Sequence, residues 1–125
     1  MKVDITYLRI SNCTIINQSG FISAFYSDIA MKNTSFINSQ IETNVFEIIE
    51  SNFTIDDCEV SNMRKLNLQT RSIFYTDKDS IVLIKNSKFF NIDFPFLTSL
   101  TSSMSFENSS LQNVTISNEE NLFFV

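Results

Sequence analysis

Apolar and polar residues alternate in short runs along this chain, and the alternation restarts at recurring intervals. One ten-residue phrase occurs five times. It starts at Leu8 (LRISNCTIIN), Ile29 (IAMKNTSFIN), Phe53 (FTIDDCEVSN), Val82 (VLIKNSKFFN) and Met104 (MSFENSSLQN), with starts 21, 24, 29 and 22 residues apart. A helix would place apolar residues every three or four positions, whereas a period of two predicts strands.

Aligned on these starts, the phrase has six constrained columns. The first is apolar (Leu8, Ile29, Phe53, Val82, Met104), as are the third (Ile10, Met31, Ile55, Ile84, Phe106) and the eighth (Ile15, Phe36, Val60, Phe89, Leu111). The fifth holds Asn12, Asn33, Asp57, Asn86 and Asn108, followed by a small column with Cys13, Thr34, Cys58, Ser87 and Ser109. The tenth is Asn throughout: Asn17, Asn38, Asn62, Asn91 and Asn113. Positions three and eight are an odd number apart, so a straight strand would turn one of them outward. The chain must bend after the fifth position.

A third apolar run follows each phrase: Phe21 to Tyr26, Val45 to Ile49, Ile73 to Tyr75, Phe96 to Leu100 and Leu122 to Val125. Strand pairs joined at a bend and repeated at this period predict an all-β, right-handed parallel β-helix, a solenoid of about five coils of 21–29 residues spanning residues 1–125. Each coil stacks about 4.8 Å above the last. The Asn columns then become two amide ladders, one of Asn12, Asn33, Asn86 and Asn108 broken by Asp57, the other of Asn17, Asn38, Asn62, Asn91 and Asn113. The outward fourth column (Ser11, Lys32, Asp56, Lys85, Glu107) alternates in charge, and Glu59 falls beside Lys88. The ninth (Ile16, Ile37, Ser61, Phe90, Gln112) forms a partly apolar outer stripe. The chain starts without a cap helix and stops on Leu122-Phe123-Phe124-Val125, so uncapped ends are expected, and with them a longer solenoid or copies stacked end to end.

Composition narrows the function. One Gly and one Pro among 125 residues leave Asn, Asp and Ser to make the turns. A net charge of −5 opposes binding to nucleic acid or anionic lipid. Without His, the commonest general base and metal ligand are missing. No segment is apolar over the length of a membrane span, so no membrane insertion is expected. No cofactor is implied.

Three sets of residues could carry chemistry. Cys13 and Cys58 share a column two coils apart, too far for a disulfide, and are expected to be free, buried and inert. Six Asn-x-Ser/Thr sequons begin at Asn12, Asn17, Asn33, Asn52, Asn108 and Asn113. Asn12, Asn33 and Asn108 are expected to be occupied by their ladder, leaving Asn17, Asn52 and Asn113 as the candidate glycosylation sites. The carboxylates Glu50, Asp56, Asp57, Asp77 and Asp79 are candidates for a metal-assisted lyase site, but turn and column roles explain them.

The phrase resembles the right-handed β-helix repeats of the pectin-lyase-like superfamily, in particular the Asn/Ser/Phe/Ile-rich kind of large protist surface proteins such as those of ciliates. That resemblance implies the β-helix fold and leaves function open, since the superfamily includes lyases, hydrolases, adhesins and fibres. The expected function is a non-enzymatic structural or adhesive element of an extracellular or cell-surface protein or filament, with its own neighbouring coils or copies as partners, and possible glycans. The alternative is a fragment of a polysaccharide lyase or hydrolase.

Overall fold

The computed structural model describes residues 2–16, 20–99 and 102–115. The first coil contains β1 (Lys2–Thr6), β2 (Arg9–Ser11), β3 (Thr14–Ile15) and β4 (Gly20–Phe25). The second contains β5 (Asp28–Lys32), β6 (Ser35–Ile37), β7 (Gln40–Ile41) and β8 (Asn44–Ile49). The third has β9 (Asn52–Asp56), β10 (Glu59–Lys65) and β11 (Ser72–Asp77). The fourth has β12 (Ile81–Lys85), β13 (Lys88–Ile92) and β14 (Leu97–Ser99), and β15 (Ser103–Glu107) and β16 (Ser110–Val114) begin a fifth.

Every pairing is parallel and joins one coil to the next. The first sheet runs β1-β5-β9-β12-β15, the second β2-β6-β10-β13-β16 with β3 and β7 alongside, and the third β4-β8-β11-β14. The chain is a parallel β-solenoid of about four turns, all-β among the described residues.

Alternation sends Met31, Ile55, Val82, Ile84, Phe36, Val60 and Phe89 inward, where each is buried. At the start of the third sheet both Val45 and Phe46 are buried, as are Ile73 and Phe74. The strand pairing skips Val45 and Ile73 at this point. The many phenylalanines form a chain of rings along the axis: Phe46 stacks on Phe74 at 4.9 Å, Phe74 meets Phe96 at 5.2 Å, and Phe96 meets Phe106 at 5.8 Å. Such contacts contribute beyond the area they bury.

The turns need no glycine. Among the described residues, all fourteen non-glycine residues with positive φ fall on three corner files. The first file is Tyr7, Asn33, Asp57, Asn86, Asn108; the second is Asn12, Asn38, Asn62, Asn91, Asn113; the third is Tyr26, Glu50, Lys78 and Asp79. Ten of the fourteen are Asn or Asp, the L-residues that best tolerate this conformation. The corner N–H groups still bond to the next coil, as from Asn33 to the Asp56 carbonyl at 3.2 Å and from Asn38 to that of Ser61 at 3.1 Å.

Four of the five coils stand in the register read from the phrase: Ile29 pairs with Phe53, Phe53 with Val82, and Val82 with Met104. The first coil is set five residues earlier. Val3 rather than Leu8 lies under Ile29, and Ile10 lies under Phe36. The repeat between the first two coils is therefore 26 residues rather than 21. Asn12 consequently joins Asn38 in the second corner file and is not beneath Asn33, where Tyr7 stands instead. The Asn17 position predicted for that file is taken by Asn12, and Asn17 itself lies outside the described residues. Thr6, not Ser11, begins the charged column, and Ile16, 75% exposed, is not part of the outer stripe. The slip has a physical cause: the second corner of the first coil, Asn12-Cys13, carries the left-handed Asn and small residue that mark the first corner, five residues earlier, in the later coils. Val3-Asp4-Ile5 also alternates and finds its strand partner only in this register.

Candidate functional site

Behind the third corner, the first corner of every coil after the first, and the second corner of the first two coils stands a residue with a short side chain that links the coils. Met63, Ile92 and Val114 follow the later second-corner Asn. At the first corner the Ser87 hydroxyl donates to the Lys85 carbonyl (2.7 Å) and accepts the Cys58 N–H (3.1 Å). Ser87 N–H in turn donates to the Ser109 hydroxyl at 3.1 Å. At the second corner Cys13 N–H donates to the Ser39 hydroxyl at 3.1 Å, and that hydroxyl donates to the Ile37 carbonyl at 2.9 Å. The third corner repeats it: Ser27 N–H donates to Ser51 Oγ (3.0 Å), and Ser51 N–H to Ser80 Oγ (3.3 Å). Each hydroxyl turns back to a carbonyl of its own coil and receives an N–H from the coil below. Ser39, Ser51, Ser80 and Ser87 are all buried, so these bonds satisfy backbone groups that water does not reach.

The Asn side chains form outer ladders that run in the opposite sense. Asn113 Nδ2 donates to Asn91 Oδ1 (3.1 Å), and Asn91 Nδ2 donates to Asn62 Oδ1 (3.2 Å). In the first file Asn108 donates to Asn86 at 2.7 Å, and Asn86 to the neighbouring Asp56 carboxylate at 3.0 Å. The ladder of that file thus leaves it at the third coil, where Asn86 meets Asp56 instead of Asp57, and Asp57, an ionised carboxylate, has no hydrogen to pass on toward Asn33. Lys85 sits 3.9 Å from Glu107 across the charged column. Glu59 and Lys88 are paired in register, and Glu59 accepts the Ser61 hydroxyl at 2.9 Å.

Along the second corner these features enclose a groove of about 730 Å³. One rail is the file Asn12, Asn38, Asn62, Asn91, Asn113; the other holds Thr14, Gln40, Arg64 and Asp93. Ser39, Met63 and Ile92 lie between them and are buried. The Asp93 carboxylate accepts the Lys65 N–H at 2.7 Å, and Thr14 donates to Gln40 at 3.5 Å. The groove offers amides, a hydroxyl and one guanidinium in rows, a lining suited to hydrogen bonding along an extended chain.

The candidate carboxylates divide between two corners. Asp56 and Asp57 stand at the first, while Glu50, Lys78 and Asp79 line a hollow at the third, with Lys78 Nζ 4.0 Å from Glu50. Asp77 Oδ1 accepts the Lys78 N–H at 2.7 Å, a turn role. Among the described residues no three His, Cys, Asp or Glu side chains stand close enough to hold a metal ion. On the outer face of the third sheet Glu47 has its pKa raised by burial, opposed by the charge of Arg71, whose guanidinium lies over the Tyr75 ring.

Both cysteines are free, but they do not share a column. Cys58 is buried at the first corner, and burial raises its thiol pKa against hydrogen bonds with Thr34 and Asp56. Cys13 is exposed at the second corner, because the shifted first coil carries it there. The sequon residues Asn12, Asn33, Asn52, Asn108 and Asn113 are all exposed. Sequence reasoning recognised the small-residue column but missed the hydroxyl relays. The recurrence of Ser27, Ser51 and Ser80 after the third apolar run was the available signal. No protein-family model, curated protein or solved structure matches this chain, so the functional reading rests on this geometry.

Proposed function

We propose that this chain is a structural, rod-like β-helix element of an extracellular or cell-surface protein, of the pectin-lyase-like kind that its repeat resembles, and that cohesion between coils is its working property. One observation carries the reading: the polar corner side chains are spent on one another. Hydroxyl relays at the first and third corners, one hydroxyl link at the second and two amide ladders run along the axis, beside a continuous ring stack in the core. Each coil presents the same edge to the next, and copies or further coils extend the rod by the same contacts. Negative-stain electron microscopy of the native material tests this. Rods or filaments one solenoid wide are expected, and compact isolated particles would overturn it.

A second reading, a fragment of a carbohydrate-active β-helix, is favoured only by the polar groove. It predicts release of reducing sugar from a polysaccharide, abolished by Arg64→Ala, and absence of any turnover excludes it.

A further inference from the structure

We infer that Asn52, Asn108 and Asn113 are N-linked glycan acceptors whose hydrogen bonds to the neighbouring coil persist after the sugar is attached. This rests on the extracellular reading above, since it requires passage through a secretory pathway. The three begin the sequons Asn52-Phe53-Thr54, Asn108-Ser109-Ser110 and Asn113-Val114-Thr115, and all three side chains are exposed.

Each amide already donates one hydrogen to the preceding coil: Asn52 to Asp28 Oδ1 (3.0 Å), Asn108 to Asn86 Oδ1 (2.7 Å) and Asn113 to Asn91 Oδ1 (3.1 Å). A primary amide has two N–H groups, so one is left over. At Asn108 and Asn113, which donate to another amide, the one left is set by the symmetry of the stack. Amides related by a shift along the axis bond as backbone amides in a sheet do, through the N–H opposite their own carbonyl. A sugar on Nδ2 makes a secondary amide, which prefers the trans arrangement and keeps that same N–H. The glycan therefore replaces the hydrogen that the ladder does not use.

The placement of sequons along the files agrees. In the second file Asn12 and Asn113 are sequons, while Asn38, Asn62 and Asn91 between them are not. In the first, Asn33 and Asn108 are separated by Asp57 and Asn86. Asn52 has Asp28 below it and Ile81 above. Among the described residues no file carries sequons on neighbouring coils, where sugars stacked about 4.8 Å apart would collide. The acceptors of the three bonds, Asp28, Asn86 and Asn91, are themselves outside any sequon. Asn108 thus accepts a glycan although it belongs to a ladder, contrary to the expectation from sequence.

The test is secretion of the full chain, behind an added signal peptide, from a eukaryotic cell line. Site occupancy is mapped by mass spectrometry, and the glycans are trimmed to a single sugar by an endoglycosidase. Occupancy at Asn52, Asn108 and Asn113 is expected, with a melting temperature equal to that of the unglycosylated chain made in bacteria. Thr54→Ala, Ser110→Ala and Thr115→Ala each remove one sequon and leave its amide in place, so each should abolish one glycan only. Empty sites on a folded, secreted chain, or a melting temperature lowered by several degrees in the trimmed glycoprotein, overturn the inference. Because the signal is supplied, neither result bears on native location, which immunogold labelling of the source cells decides separately.

Discussion

Replacing Ser87 with Ala removes one hydroxyl from the middle of the first-corner relay, and the structure says which groups suffer. Ser87 is 1% exposed. Its Oγ accepts the Cys58 N–H and donates to the Lys85 carbonyl. That carbonyl keeps a second donor, the Asp57 N–H at 3.1 Å, so it is not orphaned. The Cys58 N–H loses its acceptor in a place closed to water. An orphaned buried donor costs about 1–3 kcal/mol, and the change removes no apolar surface to offset it. Ser109→Ala makes the same chemical change at a half-exposed site, where water can take the place of the hydroxyl toward Ser87 N–H. Its cost should be under about 1 kcal/mol, near the net value of an ordinary hydrogen bond. Urea denaturation followed by far-ultraviolet circular dichroism measures both variants, and the midpoint should move while the slope stays constant. Equal losses for the two, or no loss for Ser87→Ala, would refute the claim that the relays hold the coils together.

Three further outcomes follow from the same geometry. Asn91→Ala loses two ladder bonds and puts a Cβ without a polar group into a left-handed corner, so a loss of about 2 kcal/mol is expected, whereas Asn91→Gly recovers the backbone part; equal losses for both would remove backbone strain from the explanation. In the native protein a thiol reagent such as iodoacetamide should label exposed Cys13 and leave Cys58 untouched until denaturant is added, because Cys58 is buried with a raised pKa; peptide mapping reads this, and equal labelling contradicts it. The buried Thr76 hydroxyl has no hydrogen-bond partner, so Thr76→Val should stabilise the chain by about 1 kcal/mol in the same denaturation assay, and a destabilised variant would mean that the hydroxyl is satisfied.

Most of the fold was legible because a solenoid repeats its chemistry along with its shape. Residues that stack must be alike, so Ile29, Phe53, Val82 and Met104, or Asn38, Asn62, Asn91 and Asn113, identify one another without any homologue. The first coil misled for the same reason. Its Tyr7 and Leu8 occupy corner positions that elsewhere hold Asn or Asp and a small residue, so the letters fit better one corner later, at Asn12 and Cys13. Backbone pairing, which letters do not show, decided for Val3 beneath Ile29. The third corner was hidden because its left-handed residues, Tyr26, Glu50 and Lys78, share no side-chain chemistry, and only the serines behind them recur. The polar groove was illegible as well, since it arises where two files of different composition run side by side.

The stacking of the first coil on the second can be read directly by methyl and aromatic NOEs in a sample labelled at Ile, Met and Phe. Contacts from Ile5 to Met31 and from Ile10 to Phe36 are expected. Contacts from Ile10 to Met31 and from Ile15 to Phe36 in their place would put the coil five residues out and undo the corner files on which the hydroxyl relays and amide ladders depend.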